Sequence, residues 1–245
     1  MPVLPVFLSS TFSDFQMERD VLTGPVCERL NEVLLPLECR VEMIDLRWGV
    51  DTTSVGTKDA YRLVLEICLD EVERARPLFL GLVGGRYGDV PDPAQTKWVT
   101  ERAGIVDSES LTGLSVSAIE MGYGCLWEDA PIGGQVFLLR DLKGEREERW
   151  VDHDPAPVTN LRSSIMSAEN KGRCTVAQYE TYLINGEVDL TTVNTAGVVR
   201  NFEDVAYELL LPAVMHRAEE LSNRGASERT NSLGLFQQDR QIVAG

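Results

Sequence analysis

The chain opens on an apolar run, Val3-Leu4-Pro5-Val6-Phe7-Leu8, which gives way abruptly to Ser9-Ser10-Thr11-Phe12-Ser13-Asp14 and then to a helical pattern. That order predicts a strand buried on both faces, Val3 to Ser9, handing its carboxyl end to a loop and a helix N-terminus. Pro5 stands near the strand's start, where a missing donor is tolerated. Ser13 and Gln16 match a capping box. Phe15, Leu22, Val26, Leu30, Val33 and Leu37 then recur at helical spacing, and Gly24-Pro25 predicts a kink or a restart. Arg40 to Leu46 reads as a second strand. Ala60, Leu63, Val64, Ile67, Cys68 and Val72 make an amphipathic helix. Pro77 to Gly84 is nearly all apolar and reads as another buried strand.

From Gly85 to about Gly113 the pattern is that of a long connection, rich in Gly, Pro, Asp and Ser and carrying Trp98. Loops of this length inside a domain are usually functional or disordered. Val116, Ile119, Tyr123 and Leu126 mark the next helix and Gly134 to Leu139 the next strand. Lys143 to Pro157 is charged and irregular. A weak helix around Leu161 to Glu169, a strand from Cys174 to Tyr182 and a final helix from Phe202 to Leu221, kinked at Pro212, complete the pattern. Beyond that the chain turns polar, and residues 223–245 read as a weakly packed linker toward a downstream module. Strands alternating with amphipathic helices predict a parallel sheet with helices on both faces. Residues 1–222 are therefore expected to form a flavodoxin-like, doubly wound α/β domain of strand order 2-1-3-4-5.

Charge and composition narrow the function classes. A net charge of −16 and a pI near 4.6 disfavour nucleic acid and anionic membrane as partners. No stretch approaches the roughly 20 apolar residues of a membrane span. The start, Met1-Pro2-Val3-Leu4-Pro5, lacks a signal peptide's features. Cys27, Cys39, Cys68, Cys125 and Cys174 are odd in number, far apart in sequence and form no C-x-x-C, so reduced thiols in a cytoplasmic protein are expected. His153 lies in an acidic loop and His216 in the final helix. Two histidines so placed offer neither a zinc cluster nor a catalytic triad, and no metal is expected.

In open α/β sheets ligands sit outside the carboxyl ends of the strands, and a helix N-terminus there suits an anion. The loop Ser9-Ser10-Thr11-Phe12 is thus the first candidate. Asp45, Arg47 and Trp48 end the second strand, either as a salt bridge with a packing ring or as the wall of a pocket. The run Gly81 to Gly88 matches neither a P-loop nor G-x-G-x-x-G. Its glycines either shape a tight exit or approach a ligand, and its Arg86, with Tyr87 beside it, could hold a phosphate. Glu120 lies on or beside the apolar stripe of its helix. It is either half-buried in an ion pair or faces a cleft, where burial would suit it to acid–base or charge-stabilising work.

Four ordered strings carry a family resemblance: Phe7-Leu8-Ser9-Ser10-Thr11-Phe12, Glu18-Arg19-Asp20, Asp45-Leu46-Arg47-Trp48-Gly49-Val50, and Arg76 to Gly88, followed by Ser115-Val116-Ser117 leading into Glu120 and Tyr123. They resemble the N-terminal domain of NACHT and WD-repeat, telomerase-associated and nephrocystin-type proteins, over roughly residues 5 to 140. That group is regarded as a divergent relative of the TIR domain. The resemblance implies a TIR-like core and an effector or signalling role at the front of a STAND NTPase that self-associates through downstream domains. In catalytic TIR domains a Glu on the helix after the third strand supports cleavage of the nicotinamide–ribose bond of NAD, and Glu120 stands at the matching position. It implies Glu120 as the catalytic residue and Ser9, Ser10, Thr11, Phe12, Asp45, Arg47, Trp48, Arg86 and Tyr87 as NAD-binding. The Arg-Tyr-Gly motif and the long connection before Glu120 depart from the TIR pattern, and many TIR domains are scaffolds. An NAD-consuming effector and a non-catalytic interaction module both remain open at this point.

Overall fold

The computed structural model describes residues 1–11, 13–46, 57–104, 111–144 and 149–242, the side chains of 57–61 and 224–242 excepted. Phe12, Arg47 and Trp48 lie outside the described residues. The expected sheet is present. Strands β1 (Val3–Ser9), β2 (Arg40–Ile44), β3 (Phe79–Val83), β4 (Gln135–Lys143) and β5 (Thr175–Ile184) run parallel in the order 2-1-3-4-5. Leu4, Val6, Leu8, Leu80, Leu82, Val136 and Leu138 face one core layer, and Phe7, Phe79, Val83, Phe137 and Leu139 face the other. That is the alternation of a pleated sheet covered on both sides. Phe7, Phe79 and Phe137 form a ladder across three strands. Gly81 is opposite Phe137, and a Cβ there would meet the ring at 2.4 Å, so the ladder requires glycine.

Helices α1 (Gln16–Val21) and α2 (Cys27–Leu34) are joined by a π-turn, Leu22–Val26, which absorbs Gly24-Pro25 without breaking the rod. Leu22, Val26, Leu30 and Leu34 bury at steps of four, and Val33 falls on the flank, 38% exposed. The expected capping box at Ser13 and Gln16 is not formed. Phe15 holds the N-cap position without a side-chain bond, because Ser13 accepts from Arg86 and Asp14 pairs with Arg140. Tertiary ties have taken the side chains a local cap would use. Helix α3 (Thr57–Ala75) follows β2.

The long connection contains a helix the pattern missed, α4 (Pro93–Arg102). It lacks an apolar stripe, but its start signal was legible: Asp92 caps it, Gln95 closes the box and Pro93 opens it. Helix α5 (Val116–Met121) continues as a second π-turn, Gly122–Leu126, and α6 (Ala156–Asn170) precedes β5. Beyond β5 the sheet turns antiparallel through β6 (Glu187–Val188), β7 (Thr191–Asn194) and β8 (Val199–Asn201). These short polar strands have no apolar run to announce them. The Asn185-Gly186 turn, with φ of 55° and 82°, was the available hairpin signal. Helix α7 (Phe202–Ile242) packs through Phe202, Ala206, Leu210, Val214 and Ala218, each 2% exposed or less. Its backbone stays helical beyond Leu221, through residues the pattern reads as a linker. Helices α1, α2 and α7 cover one face of the sheet; α3, α4, α5 and α6 cover the other. No helix among the described residues is long and apolar enough to cross a membrane.

Candidate active site at the carboxyl edge of the sheet

β1 delivers Ser9, Ser10 and Thr11 to the carboxyl edge, where all three are buried. Each reaches a different partner. Ser9 Oγ donates to Glu120 Oε2 at 2.5 Å. Glu120 reaches it from α5, whose first turn is set by Ser115 accepting from the Ala118 N–H. The carboxyl group is 5% exposed. Its second hydrogen bond comes from the Cys68 thiol of α3. Burial pushes Glu120 above the usual carboxylate range, while the bonds from Ser9 and Cys68 and the charge of Arg19 act against that rise. Burial and the neighbouring Glu120 push the Cys68 thiol up, so it stays protonated and donates. Among the described residues no cation forms an ion pair with Glu120.

Ser10 belongs to the same network through Arg19. This buried guanidinium donates from Nε to Ser10 Oγ at 2.8 Å and from Nη2 to the Ser10 carbonyl at 3.1 Å, and it pairs with Asp45 at the end of β2. Ser9, Ser10, Asp45 and Glu120 therefore converge, with Arg19 and Cys68 as the joints.

Thr11 turns to a second network. Its hydroxyl donates to Asp14. Arg140 of β4 pairs with Asp14 at 3.1 Å and with Glu18 at 2.6 Å, and donates to the Asp14 carbonyl at 2.6 Å. The Tyr179 hydroxyl reaches Glu18 at 3.4 Å, and the Phe15 ring lies 4.0 Å from the guanidinium. Burial raises Asp14 to about 6, outweighing the Arg140 charge and the Thr11 bond that pull it down. Arg86 sits at the rim, 27% exposed, donating to Ser13 Oγ at 2.9 Å with Nε 3.6 Å from Asp152. Tyr87 is buried; its N–H donates to Asp152 at 2.6 Å. The glycine run serves close approach: a Cβ on Gly85 would meet Val151 Cγ1 at 2.6 Å and the Trp150 carbonyl at 2.7 Å.

A cleft of about 750 Å³ lies on another side of α5, between it and α6, reaching Ala118, Gly122, Leu126, Ser164, Ser167 and Arg173. Of the sequence-predicted site residues that are described, only Tyr87 lines it. Sequence reasoning missed Cys68, Asp14, Arg140 and Tyr179 as site members. Arg140 had a signal, a charged residue inside the apolar run Val136 to Leu142.

With this geometry in hand, comparison with known proteins adds the following. Residues 5–111 match the family model described as "Domain of unknown function (DUF4062)". That stretch takes in β1 to α4 and stops before the helix carrying Glu120. Telomerase protein component 1 of Mus musculus is 39% identical over 102 residues, covering 39% of this chain and 4% of that protein. Tetratricopeptide repeat protein 41 of Mus musculus is 37% identical over 100 residues, covering 37% of this chain and 7% of that protein. NACHT and WD repeat domain-containing protein 2 of Mus musculus is 23% identical over 206 residues, covering 75% of this chain and 11% of that protein. The chain thus spans a small fraction of the length of the relatives it matches. No solved structure matches it.

Proposed function

We propose that this chain is an effector or signalling domain of a larger STAND-type protein, and that it cleaves the nicotinamide–ribose bond of NAD when copies are brought together. The first half rests on the similarity to a protein named for NACHT and WD repeats. The second rests on one observation: a buried carboxyl group at the carboxyl edge of a parallel sheet, held by neutral donors rather than by a cation. A buried carboxyl without an ion pair costs stability, and such groups concentrate where chemistry is done.

Glycosidic cleavage passes through an oxocarbenium-like state. In this reading Glu120 faces the developing positive charge on the ribose and stabilises it. Nicotinamide arrives already cationic, and its approach favours the ionised form of a carboxyl that burial pushes above the usual carboxylate range. Ser9 holds the carboxyl group until substrate enters, and the half-open Arg86 meets a phosphate. Nicotinamide leaves without a proton donor, so neither histidine is needed. Reaction requires the Ser9–Thr11 loop to move off Glu120.

The 5% exposure of Glu120 favours a second reading, a non-catalytic interaction module in which the network only fixes the β1 exit. An NAD-consumption assay on protein assembled through a fused oligomerising domain separates the two. Steady nicotinamide release that vanishes in Glu120→Gln supports the enzyme, and intact NAD supports the module.

A further inference from the structure

Cys125 and Cys174 are distant in sequence but meet in the fold. Both are free thiols, and they hydrogen-bond to each other. Cys125 lies in the π-turn that continues the Glu120 helix and has no exposed surface. Cys174 immediately precedes β5 and is partly exposed. The backbone around both is pinned. The Arg173 guanidinium donates to the carbonyls of Cys125 at 3.1 Å, Trp127 at 2.8 Å and Ala130 at 3.1 Å. The Arg173 N–H donates to the Ala168 carbonyl at 3.0 Å, and Cys174 Sγ lies 3.8 Å from the Ile165 carbonyl. The cleft between α5 and α6 reaches Leu126 and Arg173, the sequence neighbours of the two thiols, and the partial exposure of Cys174 gives a small oxidant access to that sulfur.

We propose that Cys125 and Cys174 form a reversible dithiol–disulfide pair, oxidised by a hydroperoxide, whose bridge ties the segment continuing the Glu120 helix to the start of β5. The roles are unequal. Cys174 is the reachable thiol, and the bond from the Cys125 thiol, with the charge of Arg173, holds it below the ordinary thiol range. Cys125 is buried and pushed up, first by that same bond. The partly exposed Cys174 therefore attacks and the enclosed Cys125 resolves. The Cys174 thiolate displaces hydroxide from hydrogen peroxide: an S–O bond forms, the O–O bond breaks, Cys174 becomes a sulfenic acid, and the hydroxide takes up the proton the thiol gave off, as the first water. The Cys125 sulfur then attacks the Cys174 sulfur; the S–S bond forms, the S–O bond breaks, and hydroxide leaves with the Cys125 proton as a second water. Two thiols and one peroxide give one disulfide and two waters.

The full chain is treated with hydrogen peroxide, its remaining thiols are alkylated under denaturing conditions, and it is digested without reductant for mass spectrometry. The expected product is a single linked peptide pair containing Cys125 and Cys174, with Cys27, Cys39 and Cys68 alkylated. The melting temperature should rise by about 5–10 °C and return on reduction, as befits closure of a long loop. In Cys125→Ser the Cys174 sulfenic acid should persist and be captured by dimedone. Bridges to any other cysteine, or Cys174 driven to the sulfinic acid with Cys125 untouched, would overturn the proposal, and an unchanged melting temperature would overturn the tie to β5. Should Cys125→Ser fail to fold, the wild-type peptide map alone decides the pairing.

Discussion

Glu18 and Glu120 are both buried carboxyl groups beside the exit of β1, 1% and 5% exposed, and their partners differ in kind. Glu18 meets a guanidinium, Arg140, which also holds Asp14 and whose plane is covered by Phe15. Glu120 meets a hydroxyl and a thiol. The first arrangement returns part of the desolvation cost as Coulomb attraction within the network. The second leaves a carboxyl whose charge has no direct counterion. One arrangement ties the β1–α1 loop to β4; the other ties α5 to β1 and α3 and, in the proposed function, holds the group that meets the ribose. The loop Ser9–Asp14 joins them, so a ligand that shifts it acts on both.

The comparison is broken most severely at Arg140. Arg140→Met strands Asp14 and Glu18 in the interior and should cost about 3–5 kcal/mol in urea unfolding. A loss under about 1 kcal/mol would mean that the pair does not hold the loop. The next effect is on pH dependence. Asp14 is raised from 3.8 to about 6, so the native state binds its proton more tightly than the unfolded chain does. That contribution is complete below about pH 4 and is lost as pH rises through 6. The swing is about 3 kcal/mol at most, and unfolding curves of Asp14→Asn between pH 4 and 6.5 should be flatter than wild type by part of it. A steeper profile would contradict the assignment.

Smaller again is Ser9→Ala. It removes one donor from a buried acceptor and should cost about 1–2 kcal/mol, with Glu120 driven further above its usual range. The smallest stability effect belongs to Glu120 itself. Glu120→Gln keeps the shape and removes the ionisable group, so its stability should stay within about 1 kcal/mol of wild type. A loss as large as that of Arg140→Met would make Glu120 a structural tie and erase the contrast.

Much of the fold was legible because apolar runs and helical stripes report burial directly. β1 matches its expected bounds, and the order 2-1-3-4-5 followed from crossovers between parallel strands. The antiparallel extension was not legible, since β7 and β8 are polar strands, β7 pairing with β5 and β8 with β7. Nor was α4, whose burial runs through Thr96, Val99 and Thr100 rather than an apolar stripe. In the site, sheet topology explains why segments far apart in sequence meet at one edge, bringing Ser9 to Glu120 and Ser10 to Asp45. What sequence could not disclose is the split of that edge into two networks. Arg19 and Arg140 read alike as charged residues, and only packing assigns one to Asp45 and the other to Asp14 and Glu18. The meeting of Cys125 and Cys174 was hidden for the same reason, because contact between distant segments leaves no mark on spacing.

The most direct test of the account is NAD turnover by the assembled protein, measured as nicotinamide release for wild type and for Glu120→Gln matched in melting temperature and oligomeric state. The account predicts steady release by wild type and a fall of at least about 100-fold in the variant, the size expected when a group stabilising transition-state charge is removed. Equal rates in the two proteins, or no release by either, would contradict it.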